Sequence, residues 1–219
     1  MRMSHPILTT FTLTEIKALN PCRYLYRRLR KSLGGTRKFG MKTPVAWTHI
    51  LDLCGFEDCL SLLFVGGEAA KRVLALFALE CAERVLPISE KWMPTDKRVR
   101  NCLEFLQREY NGQSTQADQA IADDILQDVV LFSHDAGKCE WDTGDADAWA
   151  AGYAAWAVVA AYAVVREGFN RTSKVASCAV ESVVVSARSH RTGDAEKEWQ
   201  IQRLRELLLK FSGGDGVRP

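Results

Sequence analysis

A chain of 219 residues can bury roughly 70% of the surface its unfolded form exposes, so no disulfide or metal is needed to hold it together. Apolar residues at 47% and charged residues at 26% are ordinary globular values and exclude a chain disordered over most of its length. The net charge of +2 hides a lopsided distribution, with a basic end, an acidic belt and no overall bias toward polyanions.

Thr12 with Glu15 three residues later matches a capping box and starts a short helix to Leu19. Asn20-Pro21 and Thr43-Pro44 repeat one device, a capping side chain followed by proline at the first helical position. The first of these helices runs to about Leu33 and stops at Gly34-Gly35, with Tyr24, Leu25, Leu29 and Leu33 as its inward stripe. The second carries Trp47, Ile50, Leu51 and Cys54 and ends at Gly55. No acidic residue occurs from Ile16 to Leu51, whereas Arg23, Arg27, Arg28, Arg30, Lys31, Arg37 and Lys38 all fall there. They form a candidate basic face able to neutralise phosphates or to meet an acidic protein.

A short apolar helix from Phe56 to Val65 closes at Gly66-Gly67, and a long one from Glu68 bends or ends before Pro87. Thr95 is the expected cap of a helix whose Val99, Cys102, Leu103, Leu106 and Tyr110 repeat at three and four residues, ending at Asn111-Gly112. Ser114 or Thr115 opens another, through Ile121, Ile125, Val129 and Phe132. An acidic belt follows, with Asp123, Asp124, Asp128 and Asp135 as its candidate binding residues. Ser133 to Gly144, polar and holding two glycines, reads as an exposed loop.

From Ala148 to Val165 there is no charge, close to the length of a membrane span. Its alanine content, and aromatic residues distributed along it, favour a helix that packs on other helices through Trp149, Tyr153, Trp156, Ala160 and Ala163. The valine cluster between Thr172 and Ser189 reads as helix, and a last amphipathic helix starts near Asp194. The expectation is an all-α, compact multi-helix bundle of about eight to ten helices. Residues 1–133 form an N-terminal region, 145–212 an alanine-rich region packed on it, and 213–219 a flexible tail.

Seven scattered cysteines in odd number, with no C-x-x-C pair, fit a reducing compartment, and nothing at the N-terminus resembles a secretory signal. The chain is therefore expected in the cytoplasm. Its histidines stand apart, and no phosphate loop or nucleophile elbow appears. The nearest approach to a metal set is His134, Asp135, Cys139, Glu140, Asp142 and Asp145, which lacks the alternating oxygen ligands of a calcium loop. No cofactor, no metal, no membrane and no enzymatic activity are expected.

Three passages together resemble phage- or prophage-encoded, alanine-rich helical proteins of largely unknown function. They are FTLTEIKALNPCRYLYRRLRKSL with ILDLCGFEDCLSLL, LFALECAERVLP with PTDKRVRNCLEFLQREYNG, and the alanine/aromatic run ending in EKEWQIQRLRELL. The middle passage is also similar to bacterial toxin-immunity proteins, in which a CAE-VLP and P-D-R-R pattern recurs. The resemblance implies a bacterial host cell and leaves the molecular act open; the lack of recognisable chemistry together with the polarised surface gives the expectation of a protein partner, from the host or a defence system, that the chain binds and inhibits in an immunity-like or counter-defence (anti-CRISPR-like) role. The resemblance also marks Asp96, Arg98 and Arg100 as structural or contact positions. The alternative is sequence-independent nucleic-acid binding through the basic face, and self-association through the alanine/aromatic face is a further reading.

Overall fold

A computed structural model of the chain describes residues 10–21, 23–144, 146–166 and 193–212. The valine cluster, His5, His190, Cys22, Cys178, Asp145 and the last seven residues lie outside them. The described residues are all-α, with eleven helices and one isolated antiparallel bridge. In chain order these are α1 (Leu13–Ala18), α2 (Arg23–Ser32), α3 (Thr36–Phe39), α4 (Trp47–Cys54), α5 (Phe56–Val65) and α6 (Glu68–Trp92). There follow α7 (Arg98–Tyr110), α8 (Gln116–Ala120), α9 (Ala122–Thr143), α10 (Ala146–Arg166) and α11 (Gly193–Phe211). Contacts group the chain into two units, 1–74 with 201–219, and 75–200, so both divisions fall inside helices, α6 and α11.

In the first unit the Thr12–Glu15 capping box forms as expected, the Thr12 amide donating to Glu15 Oε2 at 2.8 Å and the Glu15 amide to Thr12 Oγ1 at 3.2 Å. The second proline does not open a helix. Val45, just after Pro44, exchanges two backbone hydrogen bonds with Phe11, at 3.0 and 2.7 Å, which holds it extended and delays α4 to Trp47. The Thr43 hydroxyl turns back to the Phe39 carbonyl instead of capping α4. Leu13, Ile16, Leu29, Trp47, Ile50, Cys59, Leu62 and Leu63 are buried to 1% exposure or less. From α11, Leu204, Leu207 and Leu208 are equally buried, and Arg205 meets Asp52 at 2.6 Å.

Gly66, between α5 and α6, sits where an added Cβ would lie 2.5 Å from the Ala70 Cβ, while Gly67 faces open space. Gly66→Ala is therefore expected to cost about 1–3 kcal/mol through forced displacement, and Gly67→Ala to be near neutral, read as the difference in urea midpoints. Equal midpoints would contradict the close approach.

In the second unit α6, α7, α9 and α10 enclose a core of Ala82, Val85, Cys102, Phe105, Leu106, Val129, Phe132, Ala151, Ala155, Val158 and Ala161. Helix α6 passes through Pro87 without ending. Pro87 lies on the exposed side, as does Glu83, whose carbonyl loses its amide partner, so water can satisfy it. Buried Val85, Leu86 and Ser89 keep the inner side helical. Thr95 does not cap this helix: Lys97 takes the cap position without a side-chain capping bond, and Asp96, one residue before it, supplies an acceptor, its carboxylate taking the Arg98 amide at 2.9 Å. Thr115 and Asp118 form a capping box, but that helix breaks at Ile121, giving α8 and α9 in place of one element.

The expected loop at Ser133–Gly144 is helical through Thr143, and Gly144 at φ 70° ends it in the left-handed conformation. Its inward residues are Phe132, Ser133 and Ala136. Two of the three are small because they lie against the alanine face of α10, where a Cβ on Gly152 would stand 3.5 Å from both Ala136 Cβ and the Ser133 carbonyl oxygen. Helix α10 is long and apolar enough to cross a membrane, yet 67% of its apolar window is buried within the chain. Its buried face is Ala148, Ala151, Ala155, Val158 and Tyr162, not the predicted aromatic stripe: Trp149 and Tyr153 are half-buried and Trp156 is 44% exposed.

Candidate functional site

The polar positions singled out in the middle of the chain are joined into ties between helices. Arg98, at the first turn of α7, grips the Asp96 carboxylate from two nitrogens, Nε at 2.9 Å and Nη2 at 2.7 Å. It reaches α9 as well, with Nη2 donating to Asp135 Oδ2 at 3.2 Å and the guanidinium 5.4 Å from the Phe132 ring centre. The hydrogen bonds from Arg98 hold the Asp96 carboxyl below the usual carboxylate range. Arg100 forms a two-pronged pair with Glu90 near the end of α6, at 2.6 and 2.7 Å, which lowers the Glu90 carboxyl in the same way. Arg108 joins Asp118 at 2.9 Å, fastening the end of α7 to α8. Asp96, Arg98 and Arg100 thus fix the packing of α6, α7 and α9.

Those ties position the acidic belt, which is a helical face rather than a loop. Asp124, Asp128, Leu131, Asp135, Lys138 and Asp142 follow one another by alternating steps of four and three, so they fall on one stripe of α9. Every one of them is exposed. Asp135 is held by Arg98, and Asp123, off the stripe, accepts the Tyr162 hydroxyl at 3.3 Å. Asp124 and Asp128 form no ion pair among the described residues. Leu131 is 46% exposed and Trp141, near the end of the same helix, 90%. The exposed side of α9 is thus mainly carboxylate, with Leu131 on the stripe and Trp141 near the helix end adding apolar surface. His134 and Glu140 turn away from the side that carries Asp135, Cys139 and Asp142, and no three ligating side chains converge among the described residues.

The basic face is borne mainly by α2. Arg23, Arg27, Arg30 and Lys31 are exposed on the side away from Leu25 and Leu29, with Tyr24 69% exposed among them. Arg28 is drawn off to Asp58 of α5 at 2.9 Å, and burial raises the Asp58 carboxyl although Arg28 opposes it. Arg37 and Lys38 project from the separate short helix α3. Of the seven cations, only Arg28 has an ion pair among the described residues.

Four cysteines, Cys54, Cys59, Cys81 and Cys102, are buried thiols. Burial pushes Cys54 up to about 11 and Cys102 to about 12, so they stay protonated and pack as small apolar groups.

The described residues are all-α, with arginine–carboxylate ties supporting an acidic helical face. Residues 66–124, just over a quarter of the chain, match the family described as Imm-5 like putative immunity protein. The match covers α6, α7, α8 and the first residues of α9, including the Asp96, Arg98 and Arg100 ties. The middle of the chain is thus similar to immunity proteins, whose kind implies a protein partner. No curated protein and no solved structure matches the chain.

Proposed function

We propose that the protein is a non-catalytic, immunity-like accessory protein of phage or prophage origin that acts in the bacterial cytoplasm by binding another protein and neutralising it. The observation that carries this reading is the outer stripe of α9. Asp124 and Asp128 stand there without ion pairs among the described residues, with exposed Leu131 next along the stripe and exposed Trp141 further on near the helix end, on a helix held in place by ties from the immunity-like segment. A basic partner would gain Coulomb attraction on approach, and burial of the tryptophan and leucine would slow its departure.

The test is a pull-down of the tagged full chain from nuclease-treated bacterial lysate, with captured proteins identified by mass spectrometry and their affinity then measured on purified components. A stoichiometric protein is expected, bound at least tenfold more weakly by the double variant Asp124→Lys, Asp128→Lys. Recovery of nucleic acid alone, and only when nuclease is omitted, would overturn the reading. That outcome would favour sequence-independent nucleic-acid binding, for which the exposed Arg23, Arg27, Arg30 and Lys31 around Tyr24 are the specific support. The anti-CRISPR-like variant of the proposal differs only in the partner the pull-down would name.

A further inference from the structure

The side of α10 that carries its aromatic residues does not close onto α9. Trp149, Tyr153 and Trp156 follow at steps of four and three along α10, and opposite them α9 presents Ser133, Gly137 and Glu140. Between the two helices lies a cleft of about 190 Å³ lined by these side chains and by Gly152. It exists because glycine occupies both helices there. A Cβ on Gly137 would meet nothing within 4 Å, so the space beside it is open, while Gly152 lets α10 approach the backbone of α9.

The lining has a defined chemistry. Trp149 and Tyr153 stand edge to face, ring centres 4.5 Å apart, and Trp156 is 44% exposed at the rim. The Glu140 carboxylate is half-buried and has no ion pair or side-chain hydrogen bond among the described residues. The Ser133 hydroxyl is already committed to the Val130 carbonyl at 2.7 Å. A carboxylate that lacks a cation among the described residues, lining the same cleft as aromatic rings whose π-faces are negative, attracts a positive group and repels an anion. A guanidinium suits this cleft better than an ammonium: it is planar, stacks on indole, takes a carboxylate from two nitrogens, and sheds water more readily in a site that stays partly open.

We propose that this cleft receives an arginine side chain of the protein partner, a step that rests on the protein-binding reading above. The guanidinium lies against Trp149 or Trp156 and hydrogen-bonds Glu140, fixing the partner's register on the α9–α10 face.

The test follows the six tryptophan indole N–H signals of the 15N-labelled full chain during titration with Nα-acetylarginine amide, its neutral isostere Nα-acetylcitrulline amide, and the lysine analogue. Two indole signals, assigned by Trp149→Phe and Trp156→Phe, are expected to shift saturably with the arginine probe, several-fold less with the lysine probe, and not with citrulline. Gly137→Leu, which fills the cleft while removing a helix-interior glycine, and Glu140→Gln should each weaken binding at least fivefold. Equal response to citrulline, equal or tighter binding of lysine, or binding unchanged in Gly137→Leu would overturn the inference. If the probe binds but the captured partner is held by Gly137→Leu as tightly as by the native chain, the partner-arginine assignment fails and the protein-binding reading stands. If the native chain captures no protein, that reading fails, and the partner-arginine assignment with it.

Discussion

Phe132→Ala is expected to destabilise the second unit by about 3–5 kcal/mol, the cost of removing a fully buried ring and leaving a space its neighbours cannot close. Phe132 is 1% exposed, stands edge to face with Trp92 at 5.7 Å, and lies beneath the Arg98 guanidinium. Its loss would therefore remove apolar burial, an aromatic pair and the support of the Asp96–Arg98–Asp135 tie together. In a domain of this size that corresponds to a fall in Tm of roughly 10–15 °C by calorimetry. Leu131→Ala, one residue away but 46% exposed, is expected to stay within about 0.5 kcal/mol of the native chain. Comparable losses in the two variants would mean that α9 does not pack through the face assigned to it.

That face explains why part of the fold was legible in the sequence and part was not. Helix α7 could be read from Val99, Cys102, Leu103 and Leu106 because its inward residues are large and apolar. The second half of α9 was hidden because it buries Ser133 and Ala136, which carry no periodic apolar signal, and because Gly137 and Lys138 resemble turn residues. Packing against the alanine face of α10 outweighs a helix-interior glycine penalty of about 1 kcal/mol. In α10 the same principle misleads in reverse. Where alanines do the close packing, the large residues are the ones left over, so Trp149, Tyr153 and Trp156 line a cleft instead of the core.

The candidate binding residues divide along the same line. Charge counts alone located the cations of α2 and the carboxylates of α9, since charge needs no partner to be counted. Which of them are spoken for depends on contacts distant in sequence: Arg28 with Asp58, Arg98 with Asp135, Tyr162 with Asp123. Local spacing carries no record of these. Glu140 stands out in the sequence only as part of an incomplete metal set, because the aromatic residues that share its cleft lie on the next helix, where Gly152 allows a close approach to α9.

Asp96→Ala is the second large expected effect, about 2–3 kcal/mol at neutral pH. The substitution removes the acceptor for the Arg98 amide at the start of α7, worth about 1 kcal/mol, and leaves Arg98, whose side chain is 26% exposed, with the longer contacts to Asp135 and the Asp128 carbonyl and with the Phe132 ring. Asp96→Asn keeps an acceptor for the Arg98 amide but not the charge, so it should recover that hydrogen bond and little of the pair. The pH dependence separates these parts. Because Arg98 lowers the folded-state pKa of Asp96, the stabilisation is complete above the unfolded value of about 3.9 and is lost as pH falls through the depressed folded value. The difference between the native chain and Asp96→Ala should therefore be constant from pH 7 to pH 5 in urea denaturation and shrink only in stronger acid. A difference that already narrows between pH 7 and pH 5 would place the Asp96 carboxyl above its ordinary range and remove Arg98 as its principal partner.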